Sequence, residues 1–204
     1  QPYLIPTHYL ISPPEISAPI GDYLCAESIR SFAISETQKY GHVTYFWNGN
    51  KSGYINEQLE TYIEIPSHNC LFHEKPEMKA REITSQSIEL LRSKKYDFGR
   101  INFPNGDMVG HTGDFDATVK ACEVTDECVG RLLDVMKELN GTTIILADHG
   151  NADEMFTIKN GKKENKTCHT LNPVPFVIVG PSQGIPFCLN QDIENAGLAN
   201  VAAT

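Results

Sequence analysis

Apolar positions along this chain recur with two periods, and the switches between them outline the elements. Tyr23, Leu24 and Ala26 within Gly21 to Ser28 predict a short helix, and Ser31-Phe32-Ala33-Ile34 a short strand. A polar loop, residues 35–41, separates that strand from His42-Val43-Thr44-Tyr45-Phe46-Trp47. The β-branched and aromatic content of this run predicts a second strand, ended by the turn residues Asn48-Gly49-Asn50. Another short run, Tyr62-Ile63-Glu64-Ile65, stops at Pro66. From Met78 the period becomes helical, with Ile83, Ile88 and Leu91 near one face, and Phe98 to Phe103 reads as the next strand. Phe115 to Leu139 is the longest predicted helix. Its expected buried face is Val119, Cys122, Val129, Leu132, Leu133 and Met136, with Gly141 as the left-handed residue after its end. Thr142 to Ala147 and Pro175 to Val179 read as strands, and the Lys-, Asn- and Glu-rich stretch Lys159 to Lys166 as a solvated hairpin or lobe. Strands alternating with helices predict an α/β fold: three layers, α/β/α, around a mostly parallel sheet covered on both faces.

Composition narrows the class. The 204 residues fit one medium domain, and a net charge of −9 argues against non-specific nucleic-acid binding, which needs a basic surface. Six cysteines without a C-x-x-C pair read as reduced thiols and a cytoplasmic location. No apolar run approaches membrane-spanning length, so no membrane partner is expected. The chain opens at Gln1 and closes on Gly197 to Thr204, which read as the first turns of a helix; the expectation is a piece of a longer protein.

Candidate chemistry gathers at the predicted strand ends. Between Asn102 and Asp114, Asp107 and His111 stand four residues apart, with Gly106, Gly110 and Gly113 letting the backbone bend. Asp148-His149-Gly150 follows the strand 142–147 directly, and Cys168-His169-Thr170 precedes the last strand. Carboxylate and imidazole groups suit small divalent cations, and ligands of open α/β sheets bind at the carboxyl ends of strands. Asp148 and His149 can converge only if the strand ends before them, because neighbouring strand residues face opposite ways. Five groups of ligand type suffice for more than one ion. Asp114, Asp153 and Glu154 read equally as orienters of the histidines or as caps and surface charges. His42 and Trp47 read as packing residues, and His8, His68 and His73 as surface residues.

Four stretches, in this order and approximate spacing, resemble the metal-binding phosphatase domain of cofactor-independent phosphoglycerate mutases, of the alkaline phosphatase superfamily. They are Ser35 to Asn50, Asn105 to Asp114, Ala147 to Asp153, and Cys168-His169-Thr170. The resemblance runs from about His8 to the last residue. It implies an alkaline-phosphatase-like fold, with residues 1–204 as the C-terminal part of that domain, incomplete on its N-terminal side. It implies one metal ion, usually manganese, on Asp107, His111 and His169, and a second manganese or magnesium site including Asp148 and His149, with cobalt as a further candidate. Lys39 matches the family lysine that contacts the substrate phosphate. The implied reaction interconverts 3-phosphoglycerate and 2-phosphoglycerate in glycolysis and gluconeogenesis through a phosphoserine, without 2,3-bisphosphoglycerate, in a monomeric parent. The family's nucleophilic serine, its N-terminal metal-binding aspartate and its transferase domain have no counterpart here, and Ser35, Ser52 and Ser182 lie in the wrong contexts. No catalytic nucleophile is therefore assigned in this chain, and the isolated chain is expected to be inactive. The alternatives are a related phosphatase, phosphodiesterase or phosphopentomutase on the same scaffold, or a non-catalytic metal-binding fragment.

Overall fold

In a computed structural model that describes residues 16–181, 190, 192–194 and 196–203, α1 (Ile20–Ala26) precedes β1 (Ser31–Glu36), the centre of a three-stranded parallel sheet. The opening residues, His8 and Ser182 lie outside the described residues. β2 (Glu60–Ile65) flanks β1 on one side and β3 (Phe98–Ile101) on the other. Every residue of β1 is buried, as expected for a parallel strand covered on both faces.

The register divides the sheet into two unlike faces. Phe32 and Ile34, with Ile63, Ile65 and Ile101 beside them, pack on Ile83 of α2 (Ala80–Arg92). Gly99 is paired with Phe32 in this layer. A Cβ on Gly99 would lie 2.5 Å from Phe32 Cε1, too close for any side chain. We expect Gly99→Ala to destabilise the full-length protein by about 1–3 kcal/mol through overpacking. Denaturant unfolding checks this, and an unchanged midpoint would show that Phe32 has room to move.

The opposite face carries Ala33 flanked by Tyr62 and Arg100, with Glu60 beside Ser31. The Arg100 guanidinium lies between the rings of Trp47 and Tyr62, 4.9 and 5.1 Å from their centroids. Its Nε donates to Val43 O at 2.7 Å, and Nη2 lies 3.5 Å from Glu60 Oε1, a charge contact rather than a hydrogen bond. Glu60 also accepts from the backbone N–H groups of Ile55 and Asn56 and from the Tyr62 hydroxyl. Burial, together with the neighbouring Glu60 carboxylate, pushes the Tyr62 phenol up to about 12.

This buried knot accounts for one correction. His42–Phe46 is a wide helical turn, not a strand. Val43, Thr44 and Asn48 are buried while His42, Tyr45 and Phe46 face solvent, a helical rather than an alternating pattern. Thr44 Oγ1 donates back to Tyr40 O, and Arg100 holds Val43 O, so tertiary contacts override local strand propensity.

On the α2 side, α3 (Asn105–Gly110) and α4 (Phe115–Glu138) complete the packing. The buried stripe of α4 is Ala117, Thr118, Ala121, Val124, Cys128, Leu132 and Val135. It shares Leu132 with the expected face, but Val119 and Cys122 are exposed. Small residues win the contact face because Ala117 and Ala121 let α4 approach Val109 and Met78 closely. Asn140, not Gly141, takes the left-handed conformation after α4. The terminal methyl of Met136 packs over Gly141, in the space a Cβ there would take.

β4 (Thr143–Leu146) and β7 (Phe176–Val179) pair antiparallel, and among the described residues they form a ladder separate from the parallel sheet. Ile144, Leu146, Val177 and Val179 are about half exposed on it. The hydrophilic stretch is a hairpin, β5 (Phe156–Lys159) and β6 (Lys162–Asn165), turning at Asn160 and Gly161, both left-handed. No helix among the described residues is long and apolar enough to cross a membrane.

Candidate metal centre

The predicted ligands lie on loops and one short helix at a common edge. Lys39 ends the single turn that follows β1. Asp107 and His111 belong to α3 and its C-terminal end, after β3. Gly106 and Gly110 are part of that helix rather than of a bend; only Gly113 has positive φ, +74°. A spacing of four on a helix puts both side chains on one face. β4 stops at Leu146, so Asp148 and His149 are already free of strand alternation. Because β7 runs antiparallel to β4, the residues before β7 return to the edge that β4 leaves. Gly150 and Thr170 bridge there, with Thr170 N–H donating to Gly150 O at 2.9 Å, and this carries His169 to the others.

Three donor atoms converge. Asp107 Oδ1 is 3.0 Å from His111 Nε2 and 3.1 Å from His169 Nε2, and the two nitrogens are 3.0 Å apart. Ligands bound at about 2.1 Å and at right angles lie about 3.0 Å apart, against about 3.4 Å for tetrahedral sites. The three donors lie close enough together to hold one divalent ion. His111 Nδ1 lies 2.5 Å from Thr167 O. A carbonyl only accepts, so Nδ1 donates to it, and Nε2 is the nitrogen turned towards the cluster, the one a metal ion would take.

Lys39 Nζ lies 2.6 Å from the other Asp107 oxygen, Oδ2, and Lys39 is only 9% exposed. Burial alone would raise the Asp107 carboxyl, but the hydrogen bond and charge of Lys39 overcome it and hold the group below the usual carboxylate range. His149 stacks on His169, with ring centroids 3.6 Å apart, and its Nε2 is 3.9 Å from Asp107 Oδ1. Asp148 turns outward, its side chain 65% exposed, and lies 3.6 Å from His149 Nε2. The structure thus brings Asp107, His111 and His169 together, sets Lys39 and His149 against them, and leaves Asp148 at the rim. Although His42 is largely exposed, partial desolvation on its inner side, and then the nearby Lys39 charge, hold its imidazole below the ordinary value.

Asp114, Asp153 and Glu154 each have partners away from the ligand nitrogens. Asp114 caps α4 through Ala117 N–H, and Glu154 pairs with Lys166 at 2.6 Å. Asp153 accepts from Thr170 Oγ1 and Asn172 Nδ2, which ties the His169 segment to the His149 loop. Two contributors escaped the sequence reading. Thr167 acts through its carbonyl, which leaves no mark on residue type. Asn151 lies inside the Asp148 motif, but only its burial, at 4% exposed, marks it out.

The chain is 49% identical over 210 residues to the 2,3-bisphosphoglycerate-independent phosphoglycerate mutase of Nicotiana tabacum, covering 98% of this chain and 38% of that protein. It is 50% identical over 209 residues to the probable enzyme of the same name in Leptospira interrogans, again covering 98% and 38%. Among solved structures it superposes on Leishmania mexicana phosphoglycerate mutase at low cobalt concentration, with a TM-score of 0.93 and 47% identity, covering 98% of this chain and 38% of that one. The chain therefore spans well under half the length of these relatives. The Metalloenzyme superfamily model matches residues 9–204, and the chain belongs to that superfamily.

Proposed function

We propose that this chain supplies the metal-binding part of a cofactor-independent phosphoglycerate mutase, which interconverts 3-phosphoglycerate and 2-phosphoglycerate. The observation that supports this reading most is the convergence of the Asp107, His111 and His169 donors, with the Lys39 ammonium on the same carboxylate. Asp107, His111 and His169 would hold one divalent ion, and His149 with Asp148 would contribute to a second. Manganese is the favoured metal, with magnesium or cobalt as alternatives. Ions held there would lower the pKa of a hydroxyl and neutralise charge on a transferring phosphoryl group.

This chain's own residues bind and orient. Lys39 presents a buried, flexible ammonium that can meet a phosphate oxygen at the cluster. Thr167 O holds the His111 ring, and the Asp153 contacts fix the segment carrying His169. On this reading the phosphorylated serine and the glycerate-binding groups come from outside these residues, in a monomeric, cytoplasmic enzyme of glycolysis and gluconeogenesis.

The test is an assay of the full-length protein with 3-phosphoglycerate, without 2,3-bisphosphoglycerate. We expect turnover that depends on added Mn²⁺, is abolished by a chelator, and shows a KM raised at least about tenfold by Lys39→Ala, the loss of one charge-assisted phosphate contact. Hydrolysis of a generic phosphate ester without mutase turnover would assign the protein to the phosphatase or phosphodiesterase branch instead.

A further inference from the structure

The two oxygens of Asp107 have different duties, yet a carboxylate rotates freely about its last bond. Oδ2 meets Lys39, while Oδ1 faces His111 and His169. Lys39 cannot set this orientation, because its four-carbon stem follows whichever oxygen approaches. Besides the histidines, the polar side chain on Oδ1 among the described residues is Asn151, whose Nδ2 lies 3.5 Å away. That is long for a hydrogen bond, so the weight of the contact comes from confinement. Asn151 is 4% exposed, and its own Oδ1 is buried without a partner. A buried carbonyl left unpaired is costly and calls for an explanation.

Gly110 supplies the explanation. It lies on α3 between the two ligands of that helix, and the amide oxygen of Asn151 is pressed into the space beside it. A Cβ on residue 110 would overlap Asn151 Oδ1 and come within 3.0 Å of its Cγ. Turning the amide over would set its oxygen against Asp107 Oδ1, so its orientation is fixed with the donor towards the carboxylate. The geometry points to Asn151, seated in the slot left by Gly110, as the positioning residue that aims Asp107 Oδ1 at the metal centre. This rests on the metal-centre reading above and assigns a role to a residue that is not itself a ligand.

The test uses the full-length protein carrying Asn151→Ala, Gly110→Ala, both together, or His111→Ala. Titration with Co²⁺ alone gives the affinity, and the visible absorption of bound Co²⁺ reports the ligand geometry. Each of the first two variants is expected to weaken Co²⁺ binding by about 10–100-fold, the range for lost outer-shell partners, and to alter the spectrum. The metal-free melting temperature of Asn151→Ala is expected to stay unchanged. The double variant is expected to be no worse than either single one, because removing the Asn151 side chain frees the space that a Cβ at 110 needs. Asn151→Ala with wild-type affinity and spectrum overturns the proposal while His111→Ala still loses the metal. If His111→Ala also binds Co²⁺ normally, the metal-centre reading falls and this inference with it. Should Gly110→Ala fail to fold, the affinity of Asn151→Ala decides alone.

Discussion

Asp107→Asn in the full-length protein is expected to weaken Mn²⁺ binding by more than about 100-fold, beyond the loss from an outer-shell partner, and to take phosphoglycerate turnover to background. The substitution keeps the shape of the side chain and removes the single negative charge of the three-donor set. Two neutral imidazoles and an amide hold a hard-to-borderline divalent ion poorly. The change also strips Lys39 of its counter-ion 2.6 Å away, at a site where the lysine is mostly buried. An ammonium without its carboxylate has no reason to stay at the cluster, so phosphate binding is expected to weaken together with metal binding. Calorimetric titration with Mn²⁺ and the mutase assay measure the two effects separately. Tight Mn²⁺ binding by Asp107→Asn would place the metal elsewhere in the protein.

The second large effect is on stability and lies on the other face of the sheet. Arg100→Met is expected to destabilise the full-length protein by about 3–5 kcal/mol, the cost of leaving one partner of a buried ion pair uncompensated. Arg100 is 7% and Glu60 is 5% exposed. Burial draws the Arg100 guanidinium down from its ordinary value, and the Tyr62 and Glu60 contacts oppose this. Met fills the slot between the Trp47 and Tyr62 rings but leaves the Glu60 carboxylate without its cation. It also leaves Val43 O without its donor, which loosens the helical turn that follows Lys39. Adding Glu60→Gln removes the stranded charge and keeps acceptors for the Ile55 and Asn56 N–H groups, so the double variant should recover most of the loss. Denaturant unfolding of the two variants measures this. If Arg100→Met alone costs under about 1 kcal/mol, the guanidinium is serving as packing rather than as a charge.

The β4–β7 ladder leaves an apolar face open. Short, almost wholly apolar strands are ordinarily buried on both sides, and two paired strands alone are marginally stable. Ile144, Leu146, Val177 and Val179 are instead about half exposed here. An apolar strand surface exposed to this extent invites association.

Local pattern by itself determined much of this protein. The 24 residues of α4, the start of α2, the buried strand β1 and the solvated hairpin follow from spacing and turn residues that lie within a few positions of one another. So do the candidate ligands Asp107, His111, Asp148, His149 and His169, because each stands just beyond or before an apolar run. Tertiary structure decided the rest. Arg100 reaching Val43 across 57 positions turned a strand-forming run into a helical turn. The antiparallel return of β7 brought His169 to Asp107, while Asp148, adjacent in sequence to His149, was left at the rim. The slot beside Gly110 became meaningful only once Asn151 filled it. The physical reason is the same in each case. Helical and strand periods are properties of near neighbours, whereas the burial of a charge, the aim of a carboxylate and the pairing of distant strands depend on groups that only the folded chain brings within reach.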